Sequence, residues 1–556
     1  MIRNIKLKFG RATGVPAESI QTTPITVFVG PNNSGKSKIL EELNQYCMSG
    51  QRNTTNVIID QIEFESFSET LSAQKVDHVT LKPNPSEVLP PEHIIVGKKG
   101  HRQQINRQQL INALINSNAS APQFCQWYLS YNTLILNGQN RINLINSQNA
   151  GDLQQPPQTS FQVLFKDNAK RSEVRRIIFD AFGIYFVIDP TSLGRFRLRL
   201  ASRPPSTKME ECGIHEEAIK YHKDALLIDQ ASDGVKAFTG MIMEIIAGDP
   251  AVLLIDEPEA FLHPSLSFKL GKEIALASLG SEKRLFVSTH SSNFVMGCIQ
   301  SGAPVNIVRL TYRDNIATAR ILPSPDLLRL MRNPLLRSTG VMAGLFYEFV
   351  VVTESDTDRA FYQEINERLL LFKPEFGIPN CLFLNAQNKQ TVRTIIKPLR
   401  DLGIPAAGIV DIDILKEGGS VWTDFLKSGF IPELDWHSLA TSRSAINKKF
   451  KSSGKDMKKD GGINLLKTND QEAGNNLFDR LSEYGLFAVR KGELESWLPD
   501  LNCTGHGPIW LIEAFEKMGE DPDDKNYLHP DIDDVWAFIG GIKSWLTNAN
   551  RKGIPS

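Results

Sequence analysis

Residues 25–37, ITVFVGPNNSGKS, decide the fold of the first half of the chain. The short apolar run is rich in β-branched residues and predicts a buried strand, and the apolar spacing after residue 37 predicts a helix. Between strand and helix, the residues fit the phosphate-cradling pattern G-x-x-x-x-G-K-[ST] at every fixed position. The candidate nucleotide contacts are Gly30, Asn32, Asn33, Ser34, Gly35, Lys36 and Ser37.

The chemistry of this loop is that of a triphosphate site. Glycine at positions 30 and 35 permits backbone angles that a Cβ would forbid. The N–H groups of the loop and the positive end of the following helix attract phosphate oxygens. We expect Lys36 to neutralise the β- and γ-phosphates and Ser37 to offer its hydroxyl to Mg²⁺. A glycine-rich turn with a chance lysine would not explain the strand–loop–helix context.

Composition narrows the class of protein. The 556 residues suggest several domains, and 41% hydrophobic with 22% charged residues is ordinary for a globular protein. The net charge of −1 means that any nucleic-acid contact comes from local patches. Six scattered cysteines without a C-x-x-C pair indicate neither a zinc site nor a disulfide framework. Without a signal-peptide pattern or an apolar run of about 20 residues, we expect a cytoplasmic protein with no membrane partner.

A second apolar run, residues 251–255, ends in two carboxylates, Asp256 and Glu257. Such a run is typical of a buried parallel strand. Since ligands collect at the carboxyl ends of strands in a doubly wound sheet, we expect both carboxylates beside the phosphate loop. Asp256 would hold Mg²⁺, and Glu257 would polarise or deprotonate the attacking water. His290 ends the next apolar strand, and we expect it to contact the γ-phosphate.

Four motifs in this order resemble those of ABC-type ATPases. They are the phosphate loop at 30–37, a signature-like turn at 232–234, the strand and carboxylates at 253–257, and the threonine–histidine pair at 289–290. The resemblance implies ATP with Mg²⁺ as the cofactor. It also implies a homo-oligomer, a dimer or a dimer of dimers, formed through the ATPase domains.

In ABC-type ATPases the signature of one subunit closes over the ATP that another subunit holds. The resemblance therefore implies that Ser232 and Gly234 bind ATP in trans. The family also has a glutamine between the phosphate loop and the signature. Gln139 and Gln148 are candidates for it, and the sequence does not choose between them.

We predict three segments in the chain. Residues 1–340 form the ATPase domain, in which helical apolar spacing favours an inserted helical or dimerisation subdomain over about 92–180 rather than a flexible Gln- and Asn-rich linker. Strand–helix alternation then predicts a second, smaller α/β domain over 341–500. Residues 501–556 form a C-terminal helical extension. Between Ser37 and Ser232 no sustained heptad pattern is present, which argues against an SMC-like repair ATPase with coiled-coil arms.

Carboxylates follow two apolar strands of the second domain. Glu354 and Asp358 come after one strand, and Asp411 and Asp413 end the other. Side chains two apart on a strand share a face, and like charges there are costly unless a cation or water lies between them. Hard oxygen ligands suit Mg²⁺ or Mn²⁺. Two such ions can stabilise the attacking and leaving oxygens of a phosphodiester displacement.

This carboxylate order resembles the TOPRIM domain, with Glu354 at a strand end, an acidic residue four positions later, and then Asp-x-Asp. Ser355 stands where the family has glycine. The resemblance suggests Lys491 as a phosphate or transition-state cation. It also suggests Glu493 or Glu495 as a further metal ligand, and strand alternation leaves that choice open.

The two halves in this order, an α/β ABC-type P-loop ATPase with an inserted helical subdomain and then a smaller TOPRIM-like α/β domain, resemble the OLD (overcoming lysogenisation defect) family of nucleases over about residues 1–500. The resemblance implies an ATP-gated, divalent-metal-dependent endonuclease that nicks or cleaves DNA. It also implies a role in bacterial defence against phage, as in Gabija-type or retron-linked systems, and a further partner, either a second defence-system protein or a nucleic-acid component.

Six lysines within residues 448–459 predict a mobile basic loop that steers the DNA backbone, although a plain charged loop explains them equally well. The alternative function is an ATP-driven sensor or scaffold whose TOPRIM-like domain is not catalytic. Metal titration separates the two, because a scaffold would bind divalent ions no better than a double alanine variant of Asp411 and Asp413.

Overall fold

The computed structural model describes residues 1–84, 87–98, 101–138, 140–154, 157–248, 250–338 and 340–555. The chain divides into two compact units, Met1–Leu328 and Arg329–Ser556. The division lies inside a helix, Ser324–Arg332, rather than at the predicted residue 340.

The N-terminal unit contains both strands and helices among its described residues. The strands are β1 (Ile2–Leu7), β2 (Ser19–Gln21), β3 (Ile25–Val29), β4 (Ile59–Phe64), β5 (Thr80–Leu81), β6 (His93–Lys98), β7 (His101–Asn106), β8 (Thr133–Leu136), β9 (Gln148–Asn149), β10 (Tyr185–Ser192), β11 (Arg195–Ala201), β12 (Leu226–Leu227), β13 (Val252–Asp256), β14 (Arg284–Ser288), β15 (Val305–Arg313) and β16 (Ile316–Leu322). The α-helices are α1 (Lys36–Ser49), α2 (Glu69–Val79), α3 (Arg107–Ile115), α4 (Ala121–Phe124), α5 (Asn140–Asn143), α6 (Ser160–Lys166), α7 (Asn168–Phe182), α8 (Lys208–Cys212), α9 (Glu216–Asp224), α10 (Asp233–Ala247), α11 (Pro264–Ala277), α12 (Ser292–Gln300) and, at the division, α13 (Ser324–Arg332).

A central sheet of this unit has the strand order β16-β15-β3-β14-β13-β8. The strands from β15 to β8 are parallel, and β16 runs antiparallel at the edge. In the register, Phe28 lies opposite Ser288, and Ser288 lies opposite Asp256. The carboxyl ends of β3, β14 and β13 therefore meet at one edge of the sheet, as the apolar runs predicted.

The core of the unit holds the phosphate-loop helix against its sheets. Residues of β2-β1-β4, an antiparallel sheet, and of the central sheet share one buried cluster with α1. Ile5 of β1, Phe28 of β3 and Leu43 of α1 are fully buried in it. Burying one such side chain contributes about 1.5–3 kcal/mol. The start of α1 is thus fixed at the sheet edge.

Segment 92–180 contains helices, as its apolar spacing predicted, but it also contributes strands. β6 and β7 form an antiparallel pair at its start, and β8 joins the central sheet beside β13. Helices α3 to α7 do occur within the same segment. The four residues of β8 are too few to show a strand period, so an apolar run of this length does not separate strand from helix in the sequence.

The C-terminal unit also alternates strand and helix. Its strands among the described residues are β17 (Phe349–Thr353), β18 (Cys381–Asn385), β19 (Ala406–Asp411) and β20 (Leu486–Val489). Its α-helices are α14 (Pro334–Ser338), α15 (Asp356–Phe372), α16 (Lys389–Asp401), α17 (Gly419–Ser428), α18 (Glu433–Ser453), α19 (Thr468–Ser482), α20 (Pro508–Met518) and α21 (Asp534–Thr547).

These strands form a parallel sheet with the order β18-β17-β19-β20. β17, α15, β18 and α16 follow one another in the strand–helix alternation that was predicted for this part of the chain. Residues 501–556 are helical as predicted, but they are not an appendage, because Trp510 of α20 and Trp536 of α21 are buried in one core cluster with Val351 and Phe487 of the sheet. In the described part of the chain, no helix has the length and apolar character needed to cross a membrane.

Candidate nucleotide and metal sites

The loop after β3 has the backbone that its glycines allow. Gly30 has φ 147°, and a Cβ on it would lie 2.0 Å from the carbonyl oxygen of Leu310. Gly35 has φ 93° and precedes α1, and Asn33 is also left-handed with φ 59°. A side chain at position 30 would therefore displace the loop from β15. The predicted phosphate loop has the local geometry that its pattern requires.

Lys36 lies inside this loop. Its Nζ donates hydrogen bonds to the carbonyl oxygens of Gly30 at 2.9 Å and Pro31 at 2.6 Å, and it lies 3.4 Å from Ser34 Oγ. Burial lowers the pKa of Lys36 to about 8, against the opposing charges of Glu257 and neighbouring carboxylates. The ammonium is thus held by loop oxygens at the edge where the strands end.

Three hydroxyl and carboxyl groups meet beside the lysine. Ser37 Oγ donates to Asp256 Oδ1 at 3.0 Å, and Ser288 Oγ donates to the same oxygen. They come from α1, β13 and β14, which the parallel sheet brings to one edge. Hard oxygen donors of this kind suit Mg²⁺. The donor set therefore fits the predicted cofactor, with Ser37 and Asp256 as the residues that would hold the ion.

Glu257 and His290 face each other across this edge. Glu257 has φ 48°, an unusual angle for a residue with a Cβ, and its N–H donates to Ser288 O at 2.9 Å. His290 Nε2 lies 3.7 Å from Glu257 Oε1, and the His290 N–H donates to Glu259 Oε1 at 2.6 Å. Burial, with the charge of Lys36, lowers the pKa of His290 below its usual value. The structure brings together the predicted base and the predicted γ-phosphate contact.

Arg141 is a residue of this site that sequence reasoning missed. Its buried guanidinium donates from Nη1 to the carbonyl oxygens of Asp256 at 3.3 Å and Glu257 at 2.5 Å. These bonds stabilise the left-handed turn that aims the Glu257 side chain. The arginine lies alone in an Asn- and Gln-rich stretch, so no pattern in the sequence singles it out.

The signature-like turn lies at the start of α10. Ser232 is exposed at the N-cap position, and Gly234 is half-buried, with a would-be Cβ 2.6 Å from Phe261 O. Of the two candidate glutamines, Gln148 pairs with Phe196 of β11, outside the central sheet, and Gln139 lies outside the described residues. The trans contacts of the turn stay a prediction.

In the C-terminal unit, three predicted carboxylates converge. Oxygens of Glu354, Asp411 and Asp413 lie within 4.8 Å of one another. Glu354 Oε1 accepts a hydrogen bond from Asp411 N at 2.9 Å, and Asp413 Oδ1 is buried without a hydrogen-bond partner. Burial, reinforced by Asp411, raises the pKa of Glu354 to about 8, and burial raises that of Asp411 to about 6. Crowded carboxylates with an orphaned oxygen fit a divalent cation.

Two lysines contact this cluster. Lys389 Nζ lies 2.9 Å from Asp413 Oδ2 and 3.1 Å from Glu417. Lys458 Nζ lies 2.7 Å from Asp411 Oδ2. Lys389 begins α16 directly after β18, so the strand-end argument that found the carboxylates could also have found this lysine.

The two alternative predicted ligands, Glu493 and Glu495, lie in a separate group from these three carboxylates. Glu493 Oε2 lies 3.2 Å from Lys458 Nζ, and Glu495 Oε1 accepts a hydrogen bond from Gly507 N at 2.8 Å. Oxygens of these two glutamates and a nitrogen of His506 form a second group within 4.8 Å. The sequence did not single out His506, which reaches Glu495 from the turn before α20.

Asp358 and Lys491 make contacts that their predicted roles did not include. Asp358 Oδ2 accepts from Ser355 N at 2.9 Å, and Ser355 Oγ accepts from Asp358 N at 3.1 Å, which is a capping box at the start of α15. Ser355, in the place of the family glycine, thus serves as the N-cap. Lys491 pairs with Asp534. The lysines that reach the carboxylates are instead Lys389, from α16, and Lys458, from the predicted basic segment.

Residues 194–296 match the family model described as "AAA domain, putative AbiEii toxin, Type IV TA system". The matched segment contains the signature-like turn, β13 and His290. The N-terminal unit therefore contains a segment similar to this AAA domain model. No curated protein resembles the chain at a significant level.

Three solved structures similar to the chain are SMC heads. An SmcHead bound to the C-winged helix domain of ScpA matches with a TM-score of 0.32 at 17% identity, over 59% of this chain and 99% of that one. The SMC head domain from Thermotoga maritima matches with 0.29 at 12%, over 58% and 99%. The Smc head domain with an extended coiled coil bound to the C-terminal domain of ScpA, derived from Pyrococcus furiosus, matches with 0.31 at 13%, over 59% and 98%. Likenesses of this size do not identify a function.

Proposed function

We propose that the chain is an ATP-gated, divalent-metal-dependent DNA endonuclease of the OLD type, with an ABC-type ATPase followed by a TOPRIM-like nuclease domain. The convergence of Glu354, Asp411 and Asp413 at the carboxyl ends of β17 and β19 is the observation that supports it most. A buried, unpartnered oxygen on Asp413 is costly in a purely structural cluster and useful in a cation site.

In the nucleotide half, Lys36 supplies positive charge to phosphates, and Ser37 and Asp256 supply oxygens for Mg²⁺. Glu257, held by the Arg141 contacts to its turn, accepts the proton of the attacking water. His290 contacts the γ-phosphate. The exposed Ser232 and the neighbouring Gly234 complete this site on a second copy of the chain, so nucleotide state sets the distance between copies.

In the cutting half, Mg²⁺ or Mn²⁺ supplies the charge that stabilises oxygens at a cleaved phosphodiester. Glu354, Asp411 and Asp413 hold the ion, and the Asp411 N–H orients the Glu354 carboxylate toward it. One of Glu493 and Glu495 is a further ligand. Exposed lysines of residues 448–459 hold the DNA backbone by charge, since phosphate contacts need no base recognition.

The defence context rests on two supports, the OLD resemblance and the toxin named in the description of the matched family. On this proposal the chain works in the bacterial cytoplasm as a homo-oligomer, together with a second defence-system protein or a nucleic-acid component.

The direct experiment is nicking of supercoiled plasmid with Mg²⁺ or Mn²⁺, with and without ATP. We expect Asp411→Asn to lower the nicking rate by about 10²-fold or more, because it removes a metal-binding charge. Asp424→Asn, an exposed acid of α17, is the matched control and should cut like the parent. Equal cutting by Asp411→Asn and the parent would refute the metal assignment.

The sensor or scaffold function is the second candidate, and the lysine contacts favour it. Lys458 and Lys389 give Asp411 and Asp413 cationic partners without a metal. A scaffold of this kind predicts that the parent binds Mn²⁺ no better than the Asp411→Ala, Asp413→Ala double variant. Calorimetric titration of both proteins separates the two functions.

A further inference from the structure

Lys458 bridges two groups of carboxylates that the sequence treats separately. Its ammonium lies 2.7 Å from Asp411 Oδ2, at the end of β19, and 3.2 Å from Glu493 Oε2, beyond the end of β20. Asp411 belongs to the group with Glu354 and Asp413, whereas Glu493 belongs to the group with Glu495 and His506. One ammonium therefore lies between two candidate cation sites.

The backbone around this lysine is fixed. Gly492 has φ 134°, and a Cβ there would lie 2.0 Å from Lys458 O, so only glycine lets the two chains approach this closely. Ile463 N donates to Arg490 O at 2.8 Å, and Met457 is buried beside Lys458. The Lys458 N–H also donates to Asp456 Oδ1 at 2.8 Å. The segment is packed against the end of β20 rather than being the mobile loop that its lysines predicted.

The electrostatics favour a permanent ammonium at this point. Asp411 and Glu493 side chains are only 16% and 10% exposed, so two unpaired charges there would be costly. Lys389 does not bridge the two carboxylate groups, since its partners are Asp413 of the first group and Glu417, which belongs to neither.

We propose that Lys458 is the resident cation of the carboxylate centre. Its ammonium fills the cation position between Asp411 and Glu493, and one divalent-ion position is left at Glu354, Asp411 and Asp413. This inference rests on the proposed metal-dependent function, and it replaces the two ions of the sequence-based expectation by one ion and one lysine. Lys458 is thus a positioning residue that orients Asp411 and sets the number of ions.

The test counts Mn²⁺ ions bound to the full-length, nucleotide-free protein by calorimetric titration. Ions that disappear in Asp413→Asn belong to the carboxylate centre. We expect one such ion in the parent and one additional ion in Lys458→Met, because Asp411 and Glu493 then lack a counter-charge. Lys458→Arg keeps the charge and should bind one ion, and the neighbouring exposed lysine gives the matched control, Lys459→Met, which should also bind one.

Several results would overturn the inference. Two ions of the carboxylate centre in the parent, or the same number in the parent and in Lys458→Met, would each do so, and the first needs no Lys458 variant. If Lys458→Met unfolds, Lys458→Gln takes its place, with thermal unfolding as the check on both. A parent that loses no ion on Asp413→Asn refutes the proposed nuclease function itself, which keeps the two failures distinct.

Discussion

The two strand-end sites of this chain treat their lysines in opposite ways. At the nucleotide site, the hydrogen bonds of Lys36 go to oxygens of its own loop, Gly30 and Pro31 among them. At the carboxylate centre, Lys389 and Lys458 come from other elements and pair directly with Asp413 and Asp411. The first site therefore holds its lysine with neutral loop oxygens, whereas the second pairs its lysines with carboxylates.

This difference affects how stable each site is without its ligand, and hence how tightly each site binds that ligand. A lysine that is held only by neutral loop oxygens can exchange them for phosphate oxygens when a nucleotide binds. A carboxylate cluster with lysine partners is already stable, so a metal there must compete with ammonium groups. We therefore expect tight nucleotide binding in the N-terminal unit and weaker, lysine-limited metal binding in the C-terminal unit.

The largest expected effect tests whether the two sites are independent. Lys36→Ala should lower ATP turnover by about 10³-fold, because it removes the buried charge that faces the phosphates. It should leave Mn²⁺ binding at the carboxylate centre unchanged. Asp413→Asn should abolish Mn²⁺ binding at the carboxylate centre and leave ATP turnover unchanged. Steady-state ATPase assays and calorimetric Mn²⁺ titrations of both variants measure these two quantities.

The control for Lys36→Ala is Lys38→Ala, because Lys38 lies two residues further along α1 and is exposed. Loss of metal binding at the carboxylate centre in Lys36→Ala would contradict the independence of the two sites. Loss of ATP turnover in Asp413→Asn would contradict it equally.

A smaller effect is expected at Glu257. Glu257→Gln should lower ATP turnover by about 10²-fold, because the amide cannot accept a proton from water. Nucleotide binding should survive, so the variant should hold ATP and form a stable homo-oligomer, visible by light scattering with ATP. Glu217→Gln, an exposed acid within the matched AAA segment, serves as the control. A variant that turns over ATP normally would remove Glu257 from the mechanism.

The pH dependence of ATP binding should be set by Lys36. Its pKa of about 8 in the nucleotide-free protein means that it loses its charge as the pH rises through that value. ATP binds the charged form, so affinity should be constant below about pH 8 and should then fall by up to about tenfold per pH unit. Fluorescence titration with an ATP analogue measures this, and Lys38→Met should show the same profile. A flat profile to about pH 9.5 would contradict it.

The strands that end at functional groups could be predicted from the sequence, for one physical reason. Buried parallel strands show as apolar runs, and the polar residues that follow them must lie at one sheet edge. This argument found the phosphate loop after β3, Asp256 after β13, and the carboxylates after β17 and β19. The argument works because the apolar strand, which the sequence reveals, is followed directly in the chain by the polar residues of the site.

Residues that approach a site from elsewhere could not be found in this way. Arg141, His506 and Lys458 reach their partners through tertiary packing, and nothing beside them in the sequence marks the contact. Lys491 was favoured by its motif instead, yet it pairs with Asp534. Arg197 and Arg199 of β11 likewise pair with buried Asp189, which lies on the neighbouring strand β10.

The smallest expected effect separates a helix cap from a metal ligand at Asp358. As part of the capping box, Asp358→Ala should lower the free energy of unfolding by about 1 kcal/mol and leave Mn²⁺ affinity unchanged. Ser355→Ala removes the other half of the box and should cost about the same. Six of the seven tryptophans lie after residue 328, so tryptophan fluorescence during urea unfolding reports mainly on the C-terminal unit, which contains Asp358.

The two variants together decide between the roles of the aspartate. A ligand would make Asp358→Ala weaken Mn²⁺ binding by about tenfold or more, while Ser355→Ala, which contributes no carboxylate, would not. Equal losses of stability with unchanged metal binding would instead mean that the acidic residue four positions after Glu354 fixes the start of α15. In that case Asp358 aids the centre only by holding the strand-to-helix turn that carries Glu354.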